Sequence, residues 1–345
     1  MIAKDGGFLQ SKCWDCFQQA LGRKTIYVVK DGFKFLAIKQ NLPLKLNYFL
    51  IPRGPIFKKN PTNTTTALSF LESIFKVAQK EKIPWIKFEP QKSSDLKTIK
   101  KALQLYNQQQ GTDYFIKKST KEHQPRQTVF VNLQQKNLLS TFKSKTRYNI
   151  RLSQRKGVQV FQARQQKDIK QFLQLLQETA HRNQIKNHPS VYYRAMIETG
   201  TKGCRDKKGG KACQNKIRLY LARQQNDILA GAIVSFSSQV ATYLHGASSN
   251  QKRNLMAPFA LHWHIIREAQ EKGYRYYDLG GVKAFYSRNK LQPEQGGWFG
   301  LTRFKLGFCP QGPLIEFPGG YNLVLNKTKY NFYRLAQSLK NKFPF

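Results

Sequence analysis

The order of extended and helical segments in the second half of the sequence constrains the fold most strongly. A strand with the sequence VQVFQA precedes two amphipathic helical segments, which are followed by three strands, IRLYLARQ, ILAGAIVSFSS and VATYLHGAS. A helix that begins at Pro258 and ends before Gly273 then leads into a buried strand, RYYDLGG. This order predicts an α/β unit whose sheet is mixed and largely antiparallel.

The first half uses the same alternation. TIYVVK and FKFLAIKQ flank the pair Asp31-Gly32, which predicts a hairpin turn. A helix, the strand WIKFEP, a second helix and the strand TVFVNL follow, and we expect TVFVNL to close the first unit. Because 345 residues exceed what one core usually organises, we predict two domains. The succession in the second half is that of GNAT-type acyltransferases, so the predicted fold is a pair of GNAT-like α/β domains.

The charge balance of the chain restricts the kinds of molecule that it is expected to bind. The chain has 59 Lys and Arg against 19 Asp and Glu, a formal net charge of +40, and 40% hydrophobic residues provide ample material for cores. Such an excess favours a polyanionic partner, which includes nucleic acid, an anionic membrane surface or a phosphorylated substrate. No apolar run approaches the roughly 20 residues that span a bilayer, and the start of the sequence lacks a signal-peptide core. A cytoplasmic location is therefore expected.

The five cysteines do not form the pattern of a disulfide framework. Cys13 and Cys16 could join Cys204 and Cys213 in a zinc site. However, no histidine at ligand spacing flanks either pair, and the second pair lies in a stretch rich in Gly and Lys. Free thiols are the favoured interpretation, and no metal is predicted.

A basic stretch, KSKTRYNIRLSQRKGV, follows TVFVNL closely and contains no acid. Residues four apart lie along one ridge of a helix, so the basic residues at positions 143, 147, 151 and 155 form a column of cations. Such a ridge suits a polyphosphate, and the alternative is a solvated helix face that happens to be basic. The candidate residues of this surface are Lys143, Lys145, Arg147, Arg151 and Arg155.

Several motifs together resemble the FemABX family. They are the basic stretch, the long segment from YLHGASSNQ to YYDLGGV, and LTRFKLGF, with FLQSKCWDCF and IPRGPIF near the start. The family comprises tRNA-dependent aminoacyltransferases that build the cross-bridges of peptidoglycan. The resemblance implies two GNAT-like domains, with the C-terminal segment returning to the first. We thus expect residues 1–136 plus 311–345 in one domain and 137–310 in the other, as in compact, FemX-like members without a coiled-coil arm.

The resemblance also implies an activity. The chain would transfer Gly, Ala or Ser from aminoacyl-tRNA to the side-chain amine of the third residue of a UDP- or lipid-linked muramyl pentapeptide. The basic ridge would then bind the tRNA. Since aminoacyl-tRNA is already an activated ester, no cofactor is needed. A lipid-linked acceptor would add a peripheral contact with the anionic inner face of the membrane.

Four residues are expected to bind the acceptor by resemblance. NHPSVYY provides His188 and Tyr192, VATYLHG provides Tyr243, and IPRGPIF provides Arg53. The sequence departs from compact members at two positions, with His188 in place of an arginine and Cys16 in place of a lysine. A histidine is a weaker diphosphate ligand at neutral pH.

The expected catalytic residues are Lys305, Phe304 and Asp278. RFKLGF resembles the family's Phe-Lys pair, and phenylalanines on both sides would partly desolvate the lysine cation and aim it at the oxyanion of the transition state. Asp278 either holds the amine, orients Lys305 or simply ends the strand before two glycines. His262 and His264 are interpreted as packing residues without a nearby partner.

Two other function classes remain open. A CoA-dependent GNAT acyltransferase would hold pyrophosphate on backbone amides of a Gly-rich turn, but the turn SSNQKRNLMAP before the Pro258 helix has no glycine. A non-catalytic RNA-binding protein would explain the charge equally well, although not the Phe304-Lys305 pair.

Overall fold

The computed structural model describes residues 7–43, 46–58, 64–202 and 216–342. The chain divides into two compact units. Unit 1 consists of the described parts of residues 1–126 and 317–345, and unit 2 consists of the described parts of residues 127–316. No helix within these described ranges is long and apolar enough to cross a bilayer.

The helices and strands alternate along the chain. Before residue 127 they are α1 (Lys12–Ala20), β1 (Thr25–Val29), β2 (Phe33–Asn41), β3 (Asn47–Ile51), β4 (Ile56–Phe57), α2 (Thr64–Lys80), β5 (Trp85–Phe88), α3 (Ser93–Gln110) and β6 (Phe115–Lys118). Unit 2 contains β7 (Gln127–Asn132), α4 (Ser144–Arg155), β8 (Gln159–Ala163), α5 (Gln166–Asn183), α6 (Ser190–Lys202), β9 (Lys216–Gln224), β10 (Asp227–Ser237), β11 (Val240–Ser248), α7 (Ala257–Glu271), β12 (Tyr276–Gly281), β13 (Ala284–Ser287), β14 (Lys290–Pro293), α8 (Phe299–Lys305) and β15 (Leu314–Glu316). The chain then continues into β16 (Tyr321–Val324) and α9 (Lys327–Lys342).

Unit 1 is a sheet with the order β1-β2-β3-β5-β16-β6, and β4 pairs with β2. Its strands pair antiparallel except for β3 and β5, which are parallel. Helix α2 buries Ala67, Phe70, Leu71 and Ile74, the i, i+3, i+4, i+7 spacing of one helical face, in a core that also contains α3. Strand β16 lies between β5 and β6, so the C-terminal segment returns to the first unit as predicted.

Unit 2 is a sheet with the order β15-β7-β12-β11-β10-β9-β8. Alternate residues of β10 face opposite sides, because Ala230 and Ala232 belong to the core that includes α7, whereas Gly231 lies against Phe172 of α5. Strands β11 and β12 are parallel but pair only over Val240–Thr242 and Tyr276–Asp278. The strand, two helices, three antiparallel strands, helix and strand occur in the predicted order, and the mixed GNAT-like fold class is confirmed.

The predicted assignment of TVFVNL to the first domain is wrong. This segment is β7, which pairs antiparallel with both β12 and β15 in the sheet of unit 2. The units therefore divide after residue 126 and again after 316, rather than after 136 and 310. The cause is physical: the apolar alternation of a strand specifies its two faces, whereas its neighbours are fixed by pairing partners about 150 residues away.

Candidate functional site

Lys305 is buried where β11 and β12 separate. It is the last residue of α8, and its side chain is 4% exposed. Its Nζ donates a hydrogen bond of 2.7 Å to the carbonyl oxygen of Gly281 and lies 5.7 Å from the ring centre of Tyr243. Gly280 has a φ of +73°, and a Cβ atom there would lie 3.2 Å from the Tyr243 carbonyl oxygen. Glycine at this position allows the strand to turn closely past the lysine.

Asp278 provides the negative charge of this region. Its Oδ1 accepts hydrogen bonds from the backbone amide of Gly280, at 2.8 Å, and from the hydroxyl of Thr128 on β7. The carboxylate thus stabilises the turn that ends β12, which supports its interpretation as a strand-ending residue. Its charge also raises the pKa of Lys305, but burial acts more strongly in the opposite direction and lowers that pKa to about 8. At neutral pH the lysine is therefore still mainly a cation.

Aromatic rings surround the lysine. Phe304 is half-buried and makes edge contacts with Phe259, Phe308 and His262 at centroid distances of 5.0, 5.4 and 5.4 Å. His262 is 2% exposed, and its Nδ1 lies 2.9 Å from the Tyr277 hydroxyl. Burial and the neighbouring lysine cation lower the His262 pKa to about 3, so this ring is neutral. The prediction that His262 lacks a partner is therefore wrong.

A bulge in β11 directs two neighbouring aromatic side chains to opposite faces of the sheet. Val234 and Ile233 of β10 pair with Tyr243 and His245, which leaves one extra residue between the latter two. Tyr243 accordingly contacts His262 of α7, at 4.7 Å, while His245 contacts α6. A Cβ on Gly246 would lie 1.8 Å from the Tyr243 hydroxyl, so the tyrosine ring packs directly on this glycine.

His188 and Tyr192 lie together at the start of α6. Their rings stack at a centroid distance of 4.0 Å, and the His245 ring is 6.0 Å from His188 and 5.7 Å from Tyr192. Tyr193 completes the cluster, with its hydroxyl accepting the backbone amide of His188 at 3.3 Å. Burial, and secondly His188, lower the pKa of His245 to about 4. The structure thus joins two predicted acceptor residues, whereas Tyr243 belongs to the lysine site.

Arg53 follows β3 in unit 1. Its guanidinium carbon lies 3.3 Å from the ring centre of Phe317, and Nη2 donates a hydrogen bond of 2.5 Å to the carbonyl oxygen of Pro125. The residue has a positive φ of 51°. These contacts fix the turn after β3 and connect the two chain segments that form unit 1.

The basic stretch forms α4, as predicted, but its cations are not equivalent. The helix buries Thr146, Asn149, Ile150 and Ser153. The ridge winds away from this buried face by about 40° per four residues, since each residue turns about 100°. Its start is consequently half-buried, and the Arg147 guanidinium donates to the carbonyl oxygen of Phe142 at 2.5 Å.

The outer end of the ridge is open to solvent. Arg151 and Arg155 are exposed, and Lys145 is exposed on a different side of α4. The amide of Lys143 donates a hydrogen bond of 2.9 Å to the carbonyl oxygen of Gly307, two residues beyond Lys305. The basic helix and the buried lysine are thereby joined within unit 2.

The structure describes only part of the cysteine set that could form a zinc site. Cys13 is buried and Cys16 is half-buried on α1, and no group of three metal-binding side chains occurs in the described part of the chain. Cys204 and Cys213 lie outside the described residues, so their predicted state as free thiols is not tested.

Sequence reasoning missed several residues of the site, namely Thr128, His245, His262, Tyr277 and Gly307. All of them except Gly307 lie on elements distant in sequence from Lys305. Gly307 could have been found, because it is the glycine of the motif LTRFKLGF. The two histidines were visible as rare residues, of which the chain has six. The missing information was which face of β11 or α7 each one occupies.

Comparisons with known proteins agree with this architecture. The FemAB family matches residues 3–202 and 211–338. A FemB aminoacyltransferase from Staphylococcus epidermidis is 28% identical over 114 residues, which are 33% of this chain and a quarter (25%) of that relative. The lipid II:glycine glycyltransferase of Staphylococcus saprophyticus subsp. saprophyticus is 23% identical and covers 87% of this chain and 81% of the relative. The crystal structure of FemX has the same fold, with a TM-score of 0.73 at 19% identity over 96% of this chain and 98% of FemX. The chain belongs to the FemAB family.

Proposed function

We propose that this chain is an aminoacyltransferase of peptidoglycan bridge synthesis. It transfers an amino acid from aminoacyl-tRNA to the side-chain amine of the third residue of a muramyl pentapeptide. The observation that carries the proposal is the buried Lys305 cation, in a FemAB-family chain, at the gap between β11 and β12. A desolvated cation at this position is suited to a reaction in which negative charge develops on an oxygen atom.

The reaction needs no group beyond its two substrates. The neutral amine attacks the ester carbonyl carbon, a C–N bond forms, and the carbonyl oxygen becomes an oxyanion. The ester C–O bond then breaks, and the ribose hydroxyl of the tRNA leaves with the proton released by the amine. Lys305 retains N–H donors beyond the one given to Gly281, and its charge stabilises the oxyanion more than the uncharged ester.

The tRNA is proposed to lie along the outer end of α4. Arg151 and Arg155 are exposed there, while Arg147 holds the start of the helix through Phe142. The hydrogen bond between Lys143 and Gly307 connects this helix to the turn after Lys305. Phosphate contacts on α4 would therefore hold the tRNA beside the unit that carries the lysine.

The acceptor is proposed to be the lipid-linked form, and the transferred residue glycine, in line with the glycyltransferase relative. His188 and Tyr192 are candidates for the acceptor's sugar or diphosphate, because they form a stacked, accessible pair. A lipid-linked acceptor would place the transfer reaction at the inner face of the membrane.

A CoA-dependent reaction is disfavoured by the turn before α7. The amides of Leu255, Met256 and Phe259 already donate to carbonyl oxygens within the turn, and Pro258 has no N–H. Few amides therefore remain to hold a pyrophosphate.

The decisive experiment measures transfer of labelled glycine, alanine and serine from their tRNAs to lipid-linked and UDP-linked pentapeptides. Amide formation with wild-type protein, and its loss in Lys305→Met, would support the proposal. Acylation from acetyl-CoA instead would favour the CoA-dependent class. Tight tRNA binding without transfer to either acceptor would favour the RNA-binding class.

A further inference from the structure

The C-terminal helix α9 is apolar on two opposite faces. Its inner face carries Tyr330, which is 1% exposed and makes an edge contact with Trp85 of β5 at 5.6 Å. Its outer face carries Phe332, Leu335 and Leu339, which are 50%, 60% and 52% exposed. The inner face explains why the helix packs on unit 1, whereas the outer face has no such role.

The outer residues form one continuous stripe. Their spacing of three and four residues places them within about 60° of one another around the helix, directly opposite Tyr330. The helix has 16 residues and is about 24 Å long. Scattered exposed apolar residues are ordinary, but a stripe of large side chains along one helix face marks an interaction surface.

The charges around the stripe identify its partner. The α9 sequence, KTKYNFYRLAQSLKNK, contains five Lys or Arg and no acid. Lys329 is exposed on one flank of the stripe, whereas Lys327 and Arg334 lie toward the inner face of the helix, with Lys327 paired to Asp113 at 2.5 Å. An apolar stripe on a helix that has basic residues and no acid is typical of helices that lie in the interface of an anionic bilayer.

Positive charge also lies beside the inner face of α9. Lys121 is exposed and lines a cavity of about 210 Å³ together with Arg334 and Gln337 of α9. The net charge of +40 gives the whole chain a long-range attraction to such a surface.

We propose that the outer face of α9 docks this chain on the surface of an anionic lipid bilayer. The inference deepens the proposed function, on which it rests for its biological sense, because a lipid-linked acceptor is met only at a bilayer. Phe332, Leu335 and Leu339 enter the acyl boundary, while Lys329 remains among the anionic headgroups. The helix lies in the interface and does not span it.

The test is co-sedimentation with vesicles that contain neither acceptor nor tRNA. Wild-type protein should bind phosphatidylglycerol-rich vesicles, bind pure phosphatidylcholine vesicles far more weakly, and be partly released by salt. Leu335→Ser combined with Leu339→Ser should lower the partition coefficient about tenfold to a hundredfold. The matched control is Leu105→Ser, which removes a 42% exposed leucine from α3 of the same unit and should leave binding unchanged.

Lys329→Glu should weaken binding only to the anionic vesicles, and it separates the charge contribution from the apolar one. Equal binding by the double variant and the Leu105→Ser control would overturn the proposal. If wild-type protein without lipid were a dimer and the double variant a monomer, the stripe would instead be a dimer interface. Absence of aminoacyl transfer with intact vesicle binding would reject the proposed function but not this surface.

Discussion

Replacement of Lys305 by Met separates the catalytic value of the buried cation from its cost to folding. Methionine preserves the length of the side chain and removes the charge. Burial shifts the lysine pKa from 10.5 to about 8, and each pKa unit is worth 1.36 kcal/mol, so burying the cation costs about 3 kcal/mol at pH 7. Loss of the hydrogen bond to Gly281 offsets about 1 kcal/mol of this gain. We therefore expect Lys305→Met to be more stable than wild type by about 2 kcal/mol.

The stability difference between Lys305→Met and wild type should depend on pH, and the direction follows from the lysine pKa. The folded pKa lies below the unfolded one, so between pH 8 and 10.5 the unfolded chain binds the proton and the folded chain does not. Wild-type stability consequently rises with pH through this window relative to the variant. The difference in unfolding free energy between the two proteins should shrink by about 1 kcal/mol from pH 7 to pH 9. Urea unfolding at both pH values measures it.

Turnover should change in the opposite direction. At saturating acceptor, loss of the cation should reduce transfer about a hundredfold to a thousandfold. Wild-type turnover should itself fall as pH rises through about 8, and Asp278→Asn should move that fall to lower pH, because the carboxylate raises the lysine pKa. A variant less stable than wild type at pH 7, with normal turnover, would refute both parts of the reasoning. A raised KM with unchanged turnover would make Lys305 a binding residue.

Two further predictions concern α4 and β11. Arg151→Gln with Arg155→Gln should weaken tRNA binding and lower the slope of log affinity against log salt by about 0.7 to 0.9 per lost phosphate contact. The control Arg267→Gln on α7 should leave the slope unchanged. Equal slopes in wild type, the double variant and the control would show that α4 is a solvated helix face. Gly246→Ala should displace the tyrosine ring packed on it and reduce turnover about tenfold to a hundredfold. Gly297→Ala, where a Cβ has nothing within 4 Å, serves as the control for the rate measurement. Equal rates in both glycine variants would show that the tyrosine has no part in transfer.

Much of the fold was accessible from the sequence because each element has a local signal. The α2 helix follows its i, i+3, i+4, i+7 apolar spacing, and α7 begins at Pro258 and ends before Gly273. The exception is β7, whose apolar alternation is that of any half-buried strand. Its place beside β12 depends on long-range pairing that no local pattern specifies.

Some residues of the candidate site could be predicted from the sequence, but their grouping could not. Asp278 acts electrostatically on Lys305, which follows Phe304 in the sequence, and the catalytic roles of these three residues stay predictions. Tyr243 and His245 are two apart and should share a face of an ordinary strand. The single extra residue of the bulge instead places the two side chains on opposite faces. The sequence has no glycine or proline at that position that would predict a bulge. The prediction for His262 was wrong because its partner Tyr277 lies on β12, and the local pattern of α7 does not specify which strand the helix packs against.

The interleaving of the two units bears on how the chain acquires its structure during synthesis. Unit 2 is complete once residue 316 has left the ribosome, whereas the sheet of unit 1 then still lacks the strand that separates β5 from β6. The inserted unit can therefore fold first, and its compaction brings the two segments of the outer unit within reach of each other. A chain that ends before Tyr321 and is tethered to the ribosome by a linker long enough to fill the exit tunnel would have a protease-resistant unit 2 and an open, cleavable unit 1.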